Sequence, residues 1–365
     1  MKICILTSGH DVFDNRIYYK EILSLKKEYS DIYLIAPGDK DFTTEDGIKV
    51  KTFKKRKSWY DRLGPMNRMY NLALELNADV YHAHEPDSFQ VAVKLKKKIG
   101  CKIIYDSHEY HPEGFAEHFK FGKNIITKLI YEYEKKNAQK ADYIISVNDI
   151  LVNKFKSYNE HVELIPNYPV LDNQHIKELN STPTFIYVGG LREDRGIVKI
   201  IQAIKKVNKP YKYFFVGAFE TNEFEVKVRD LCKSNIDSGE IIFTGKIPHK
   251  DVFKYLSMSH VGFVLLQPEN WRYINSEPIK LFEYMMTKTA IIASDFPMMK
   301  NIINEGKAGV VVDPTDVDEI ANIIIQLGSD LDATVNMGVN GFNIVNEKYN
   351  WSVCENRLLN LYKTF

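Results

Sequence analysis

Short apolar runs alternate with longer amphipathic stretches from one end of the chain to the other. The runs at 2–7, 32–36, 80–82, 102–105, 143–147 and 163–165 are rich in Ile, Val and Tyr, and polar residues bound them, which predicts buried strands. Between them, 17–27 and 70–77 carry apolar residues at helical spacing. A second series of strand-like runs follows at 184–188, 213–216, 241–244, 261–266, 290–293 and 309–312, with helical partners at 198–207 and 317–327. Alternation of this kind builds a parallel sheet covered by helices, and here it occurs twice. The two series are separated by a polar, proline-bearing break at 166–183, which includes Asn167-Tyr168-Pro169 and Asn180-Ser181-Thr182-Pro183 and suits a hinge. The expected organisation is an α/β domain at 1–168, a linker at 169–183 and a second α/β domain at 184–351.

At 365 residues the chain exceeds a comfortable single core, in agreement with two domains. Its net charge of +1 gives no global field toward nucleic acid, so any basic surface is local. Cys4, Cys101, Cys232 and Cys354 are far apart without a CxxC pair, which predicts buried free thiols rather than a zinc site. The opening Met1-Lys2-Ile3-Cys4-Ile5-Leu6-Thr7 turns polar too soon for a signal peptide, and no apolar run reaches the roughly 20 residues of a membrane span. The cytoplasm is the expected location.

Ligands of doubly wound sheets sit beyond the carboxyl ends of the strands, so residues just after each run carry the candidate chemistry. Two facing sheets would place one ligand in the cleft between them. In the second half, Ser276-Glu277-Pro278-Ile279-Lys280 follows a strand and starts a helix at a proline. Such a start offers free backbone N–H groups to a diphosphate; Lys280 adds a point charge, and Glu283, about a turn on, can accept from a ribose diol. An ordinary surface helix with a polar face gives the same pattern. Gly189-Gly190-Leu191-Arg192 through Arg195 also ends a strand, where arginines can fork phosphate oxygens, although a solvated turn is equally compatible. Lys246 and Ile247 follow a third strand and offer backbone to the edge of a base.

In the first half, three strand ends gather polar groups: Ser8-Gly9-His10-Asp11 with Asp14 and Arg16, His82-Ala83-His84-Glu85, and Asp106-Ser107-His108-Glu109 continuing to His111 and Glu113. Recurrence of histidines and carboxylates at three such ends points to a site on this rim. No HExxH or comparable ligand spacing occurs, so no metal is expected. Two aromatic-basic segments, 54–60 (continuing to Arg62 and Arg68) and 119–123 (continuing to Lys128), have the composition of lipid-facing surface, and membrane contact is expected for the first.

Taken in order, these blocks resemble glycosyltransferase family 4. They are Thr7-Ser8-Gly9-His10 with 14–20, Asp79-Val80-Tyr81-His82-Ala83-His84, Tyr105-Asp106-Ser107-His108-Glu109-Tyr110, Tyr187-Val188-Gly189-Gly190-Leu191, Pro278 to Met285 and Tyr349-Asn350-Trp351. The resemblance spans nearly the whole chain and favours a bacterial envelope or capsular polysaccharide branch. It implies the GT-B fold of two Rossmann-like domains facing across a cleft, with the helix at 352–365 packing back on the first. It further implies retention of anomeric configuration and no metal or cofactor. A UDP- or GDP-sugar donor would be held mainly by the second domain and a saccharide acceptor, lipid-linked in this reading, mainly by the first. By the same resemblance Glu283 corresponds to the ribose-binding glutamate, Arg195 to a diphosphate contact, His108 to the histidine near the donor sugar, and Gly9-His10 to a phosphate-facing turn.

Two departures from the family pattern stand out. Asn275 holds the place of a second glutamate, with Ser276 and Glu277 as near substitutes, and Gly190 holds the place of an arginine, for which Arg192 or Lys280 can substitute. Glu85 and Glu109 are the candidates for a carboxylate nucleophile in a double displacement, and His84 completes the set of expected catalytic groups. The rival readings are a nucleotide-sugar 2-epimerase of the same fold, a catalytically silent nucleotide-sugar-binding subunit, and a periplasmic-type sugar-binding protein, which the missing export signal disfavours. Under the leading reading the chain works in the cytoplasm at the inner face of the plasma membrane, and nucleic acid is not a partner.

Overall fold

The computed structural model describes residues 1–56, 58, 61–108, 122–171 and 177–365. They form two compact units, Met1–Asn167 with Trp351–Phe365, and Tyr168–Asn350.

The first unit is built on β1 (Lys2–Leu6), β2 (Asp31–Pro37), β3 (Phe42–Thr43), β4 (Lys49–Phe53), β5 (Val80–His84), β6 (Lys102–Ser107), β7 (Tyr143–Ser146) and β8 (Val162–Leu164). Their order across the sheet is β3-β4-β2-β1-β5-β6-β7-β8, parallel except for the β3–β4 pair. The central strands are buried on both faces, which is why they read as continuous apolar runs rather than alternating ones. Helices α1 (Leu23–Lys26), α2 (Leu63–Leu76), α3 (Glu85–Ile99), α4 (Lys123–Ala138) and α5 (Asp149–Lys156) connect them.

Three local features depart from the sequence expectation. Residues Ile17–Ile22 wind as a π-helix ahead of α1, and the wider turn buries Ile17, Tyr18, Lys20, Glu21 and Ile22 together. Strands β3 and β4 were not anticipated. Helix α2 starts seven residues before the expected 70, across Gly64-Pro65. A proline in the first turn costs nothing there, because the first N–H groups of a helix have no intrahelical partner to lose.

The second unit orders β11 (Ile241–Gly245), β10 (Lys212–Val216), β9 (Thr184–Val188), β12 (Val261–Val264), β13 (Ala290–Ser294) and β14 (Gly309–Val312) side by side, all parallel. One face packs Phe185, Tyr187, Phe215 and Phe263 against α6 (Ile197–Ile204). The other receives α7 (Ile279–Met286), which buries Leu281, Phe282, Tyr284, Met285 and Met286. Gly262 makes that docking possible, since a Cβ there would lie 2.4 Å from the Tyr284 ring. The Tyr284 hydroxyl then accepts from the Val188 backbone N–H at 2.9 Å, which fixes α7 against the end of β9.

The stretch expected as a linker is anchored in the second unit. Tyr168 stacks edge-on to Phe282 and Tyr349, and Lys177 donates to Leu256 O, Ser259 O and Thr289 Oγ1. The closing helix α8 (Trp351–Tyr362) belongs to the first unit, where Trp351 Nε1 donates to Ser24 Oγ at 2.9 Å.

Candidate functional site

In the first unit the strand order reverses between β1 and β5, and the loops leaving β1, β5 and β6 meet at this switch point. Glu85, first in α3, has a left-handed backbone (φ 63°), costly for a side chain with a Cβ. That conformation sends its carboxylate to the β1 loop, where it accepts from Thr7 Oγ1 (2.8 Å), Ser8 N (3.0 Å) and Ser8 Oγ (3.3 Å). Gly9 passes close by, a Cβ there being 3.6 Å from Glu85 Oε1. His10 bonds Asp14 through Nδ1 (2.9 Å) and reaches Glu85 through Nε2 (3.1 Å). His108, just past β6, bonds Asp106 through Nδ1 (3.1 Å) and faces His10 across a 3.3 Å Nε2–Nε2 gap.

Beneath this rim lies a buried charge network. Arg16 contacts Asp106 Oδ2 (2.7 Å), Glu21 Oε1 (2.9 Å) and the Ile165 carbonyl (3.1 Å). Burial pushes Glu21 well above the usual carboxylate range, with the Arg16 charge opposing. Burial acts on Asp106 too, but the Arg16 charge outweighs it and holds Asp106 well below that range. His82 and His84 stack at 4.7 Å, and burial holds both below the ordinary histidine value, so both are neutral. His84 Nε2 lies 3.2 Å from Glu21 Oε2, and His82 Nδ1 meets the Tyr362 hydroxyl of α8 at 2.9 Å. Ligand-type atoms of Glu21, His82, His84 and Asp106 lie within 4.8 Å of one another, close enough to share a cation. The cation these carboxylates contact is the Arg16 guanidinium.

In the second unit the order reverses between β9 and β12, and the β9 loop and the start of α7 converge. Gly189 has φ 126°, and a Cβ there would lie 3.1 Å from Lys280 Nζ and 3.5 Å from Arg195 Nη1. Gly190 approaches Arg195 Nη1 as well, at 3.6 Å by the same measure. The Lys280 stem is partly exposed, but its ammonium nitrogen is buried without a hydrogen-bond partner, 4.1 Å from the Tyr187 ring centroid. Burial, then the neighbouring Arg195 charge, lowers Lys280 to about 7, with Glu283 opposing. Arg195 is itself held near the Tyr273 and Tyr187 hydroxyls. Gly196 is required for a structural reason, since a Cβ there would sit 2.1 Å from the Leu265 carbonyl.

The other expected residues fall differently. Arg192 is paired with Asp194 (3.0 Å) and Glu220 (3.1 Å), so its forks are engaged by carboxylates. Pro278 caps α7 from outside, one residue earlier than a first helical position. Ser276 Oγ donates to Tyr273 O and Asn275 Nδ2 to Trp271 O, while Glu277 lies in electrostatic reach of Tyr349. Lys246 is exposed past the edge strand β11, and Ile247 packs on the cluster containing Val216 and Val252. Glu109, His111 and Glu113 lie outside the described residues, as do Lys57, Trp59, Tyr60 and 119–121. Of the basic segment that is described, Lys55 pairs with Asp11, and Arg56 and Arg62 face Asp87. Glu21, Tyr187, Tyr273 and Tyr362 were not anticipated. Adjacent charges at Lys20-Glu21 inside an apolar helical stretch were the one available signal for Glu21.

Two parallel-sheet α/β units, each with its polar groups at a switch point, define a protein of the GT-B class. Residues 172–343 match the family model described as glycosyl transferases group 1, and 21–168 match glycosyltransferase family 4. The chain belongs to glycosyltransferase family 4. It is 25% identical over 203 residues to the capsular polysaccharide biosynthesis glycosyltransferase CapM of Staphylococcus aureus, covering 53% of this chain and 50% of that one. The match therefore spans about half the length of that curated relative. Among solved structures, sucrose-phosphate synthase from Thermosynechococcus elongatus superposes with a TM-score of 0.76 at 16% identity, covering 100% of this chain and 98% of that one. Anabaena HepE in complex with UDP gives 0.75 at 15% identity, covering 100% of both chains. Among the described residues, no helix is long and apolar enough to cross a membrane.

Proposed function

We propose that the chain transfers a sugar, with retention of configuration, from a nucleoside diphosphate sugar to a hydroxyl of a saccharide acceptor in cell-surface polysaccharide synthesis. The observation that carries this reading is the buried, unpartnered Lys280 ammonium beside Gly189, Gly190 and Arg195. A buried ammonium without a partner is costly, and a diphosphate supplies the missing acceptors. With Gly190 where family members carry arginine, Lys280 is the substitute cation in this reading; Arg192 is already committed to carboxylates. Glu283, three residues on along α7, takes the ribose diol.

As the bond from the sugar carbon to the phosphate oxygen breaks, its electron pair goes to the diphosphate. Lys280, Arg195 and the open N–H groups at the start of α7 stabilise that charge as it grows. The acceptor hydroxyl attacks from the same face and passes its proton to the leaving phosphate. Same-face attack is favoured over double displacement because both Glu85 oxygens are already engaged by Thr7, Ser8 and His10. A UDP-sugar is the first donor to try, since HepE, a structural neighbour, was solved with UDP and with UDP-glucose. A lipid-linked acceptor and work at the inner face of the plasma membrane complete the reading, with Lys54 and Lys55 as the cations to reverse in a liposome-binding test.

Thermal stabilisation by UDP or GDP, followed by mass spectrometry of products with an acceptor panel, tests the reading. Stabilisation by a nucleoside diphosphate and a product of added hexose mass are expected. Conversion of the donor to an isomer without acceptor would reassign the chain as an epimerase.

A further inference from the structure

Apolar side chains scattered singly over a surface need no explanation, but large rings gathered in solvent do. In the first unit Phe13 is 51% exposed, Tyr19 52% and Phe42 39%. Their rings adjoin: the Phe13 centroid lies 6.4 Å from that of Tyr19 and 6.2 Å from that of Phe42. Buried beside them is Tyr18, whose ring meets Phe13 edge-on at 4.9 Å and Tyr19 edge-on at 5.3 Å. The Tyr18 hydroxyl donates to Asp46 Oδ2 at 2.6 Å, which ties this support to the turn between β3 and β4. The rings are thus held in place although water reaches them.

Place and charge narrow what can cover them. Phe13 sits in the loop closed by the His10–Asp14 bond, three residues from His10, so the two Cα atoms are no more than about 11 Å apart. The patch therefore continues the rim at the β1 switch point. Segments 11–19 and 38–47, which carry the rings, hold Asp11, Asp14, Asp39, Asp41, Glu45 and Asp46 against Arg16 and Lys40, and Arg16 is buried. Lys51 and Lys55 reach in from β4 and beyond but pair with Asp41 and Asp11. Among the described residues this leaves no surplus of positive charge for an anionic lipid surface or a polyanion. A neutral saccharide suits both parts of the pattern. A pyranose has a flat C–H face that stacks on an aromatic ring, and a rim of hydroxyls that donate to carboxylates. We propose that Phe13, Tyr19 and Phe42 form a stacking platform for a neutral saccharide chain, the acceptor, and lay it beside the loop that carries His10. That the chain is the acceptor rests on the function proposed above; that it is a saccharide rests on the patch.

The test is binding of the full-length protein to an array of neutral hexose and N-acetylhexosamine oligosaccharides, with calorimetry on those retained. Wild type should bind at least one, F13A should weaken that binding about tenfold, and F13W should restore it. F13L keeps apolar area without a flat ring and should not restore it. Full binding by F13L, or no sugar retained by the wild type, would overturn the proposal. Y19A and F42A change the platform at two other elements, so wild-type affinity in both would count equally against it. Binding of the wild type to phosphatidylglycerol vesicles but to no sugar, lost in F13A, would overturn it in favour of a lipid surface. In a transfer assay F13A should raise the acceptor KM about tenfold, with donor KM and kcat within about twofold of wild type. Transfer with a wild-type acceptor KM in F13A would uphold the proposed function and remove the platform. Sugar binding that depends on Phe13, with no transfer from any donor, would uphold the platform and remove the function instead.

Discussion

In the first unit the buried cation Arg16 is matched by Asp106 and Glu21 within 2.9 Å, and its neighbours His82 and His84 stay neutral. In the second unit the buried cation Lys280 lies beside the Tyr187 ring and Gly189 and has no hydrogen-bond partner among the described residues. The same kind of switch point therefore holds a charge set closed on itself in one case and open in the other. Closed sets fix geometry, since their members cannot move without exposing an unpaired buried charge. Under the proposed function the open set is where a ligand of opposite sign binds.

The sharpest way to break this comparison is R16M, which leaves Asp106 buried and uncompensated. It should cost about 3–5 kcal/mol in denaturant unfolding, and a loss below 1 kcal/mol would show that the network is not closed. K280M removes a buried charge that has no hydrogen-bond partner among the described residues, so stability should hold or rise. Nucleoside diphosphate affinity or turnover should meanwhile fall about 100- to 1000-fold, read by calorimetry and a transfer assay. Equal loss of stability and binding would place Lys280 in the structural class with Arg16.

A pH series sharpens the same contrast. Lys280 lies at about 7 in the folded chain, against about 10.4 unfolded, so between those values the unfolded state binds more protons. Its contribution to stability is complete above about pH 10.4 and is lost as pH falls toward 7. The stability advantage of K280M over wild type should accordingly grow as pH is lowered through that window and level off below it. Calorimetric unfolding at several pH values would measure this, and a constant difference would contradict it.

Smaller effects are expected at the margins. Y362F removes the hydroxyl that meets His82 Nδ1 and should cost about 1 kcal/mol without abolishing any activity. R192A breaks half-buried to exposed pairs with Asp194 and Glu220 and should change stability by less than about 1 kcal/mol. It should leave diphosphate affinity nearly unchanged; a loss as large as that of K280M would make Arg192 the substitute for the missing arginine.

Much of this was legible along the chain. The run 184–188 is a strand with the expected bounds, because a strand buried on both faces must be apolar throughout, and the edge strand 309–312 also keeps its bounds although it is only partly buried. His10, His84 and His108 were placed at strand ends by the same alternation, and Gly189 and Lys280 by the turn and helix start they occupy. Helix α2 and strands β3 and β4 were less visible, since Gly64-Pro65 looks like a breaker and short edge strands carry little apolar signal. The choice between Arg192 and Lys280 was not legible at all. It depends on Gly262 seating Tyr284 and so bringing α7 to the end of β9.

The sequence by itself determined two parallel-sheet units and the positions along the chain where chemistry can sit, because burial periodicity and turn residues are local properties. Which charges are matched was decided only by tertiary structure. Glu21 meets His84, and His82 meets Tyr362 across 280 positions, through packing that no window of sequence contains. Whether a buried charge is paired depends on what distant segments bring within about 4 Å, and that distance is set by the fold.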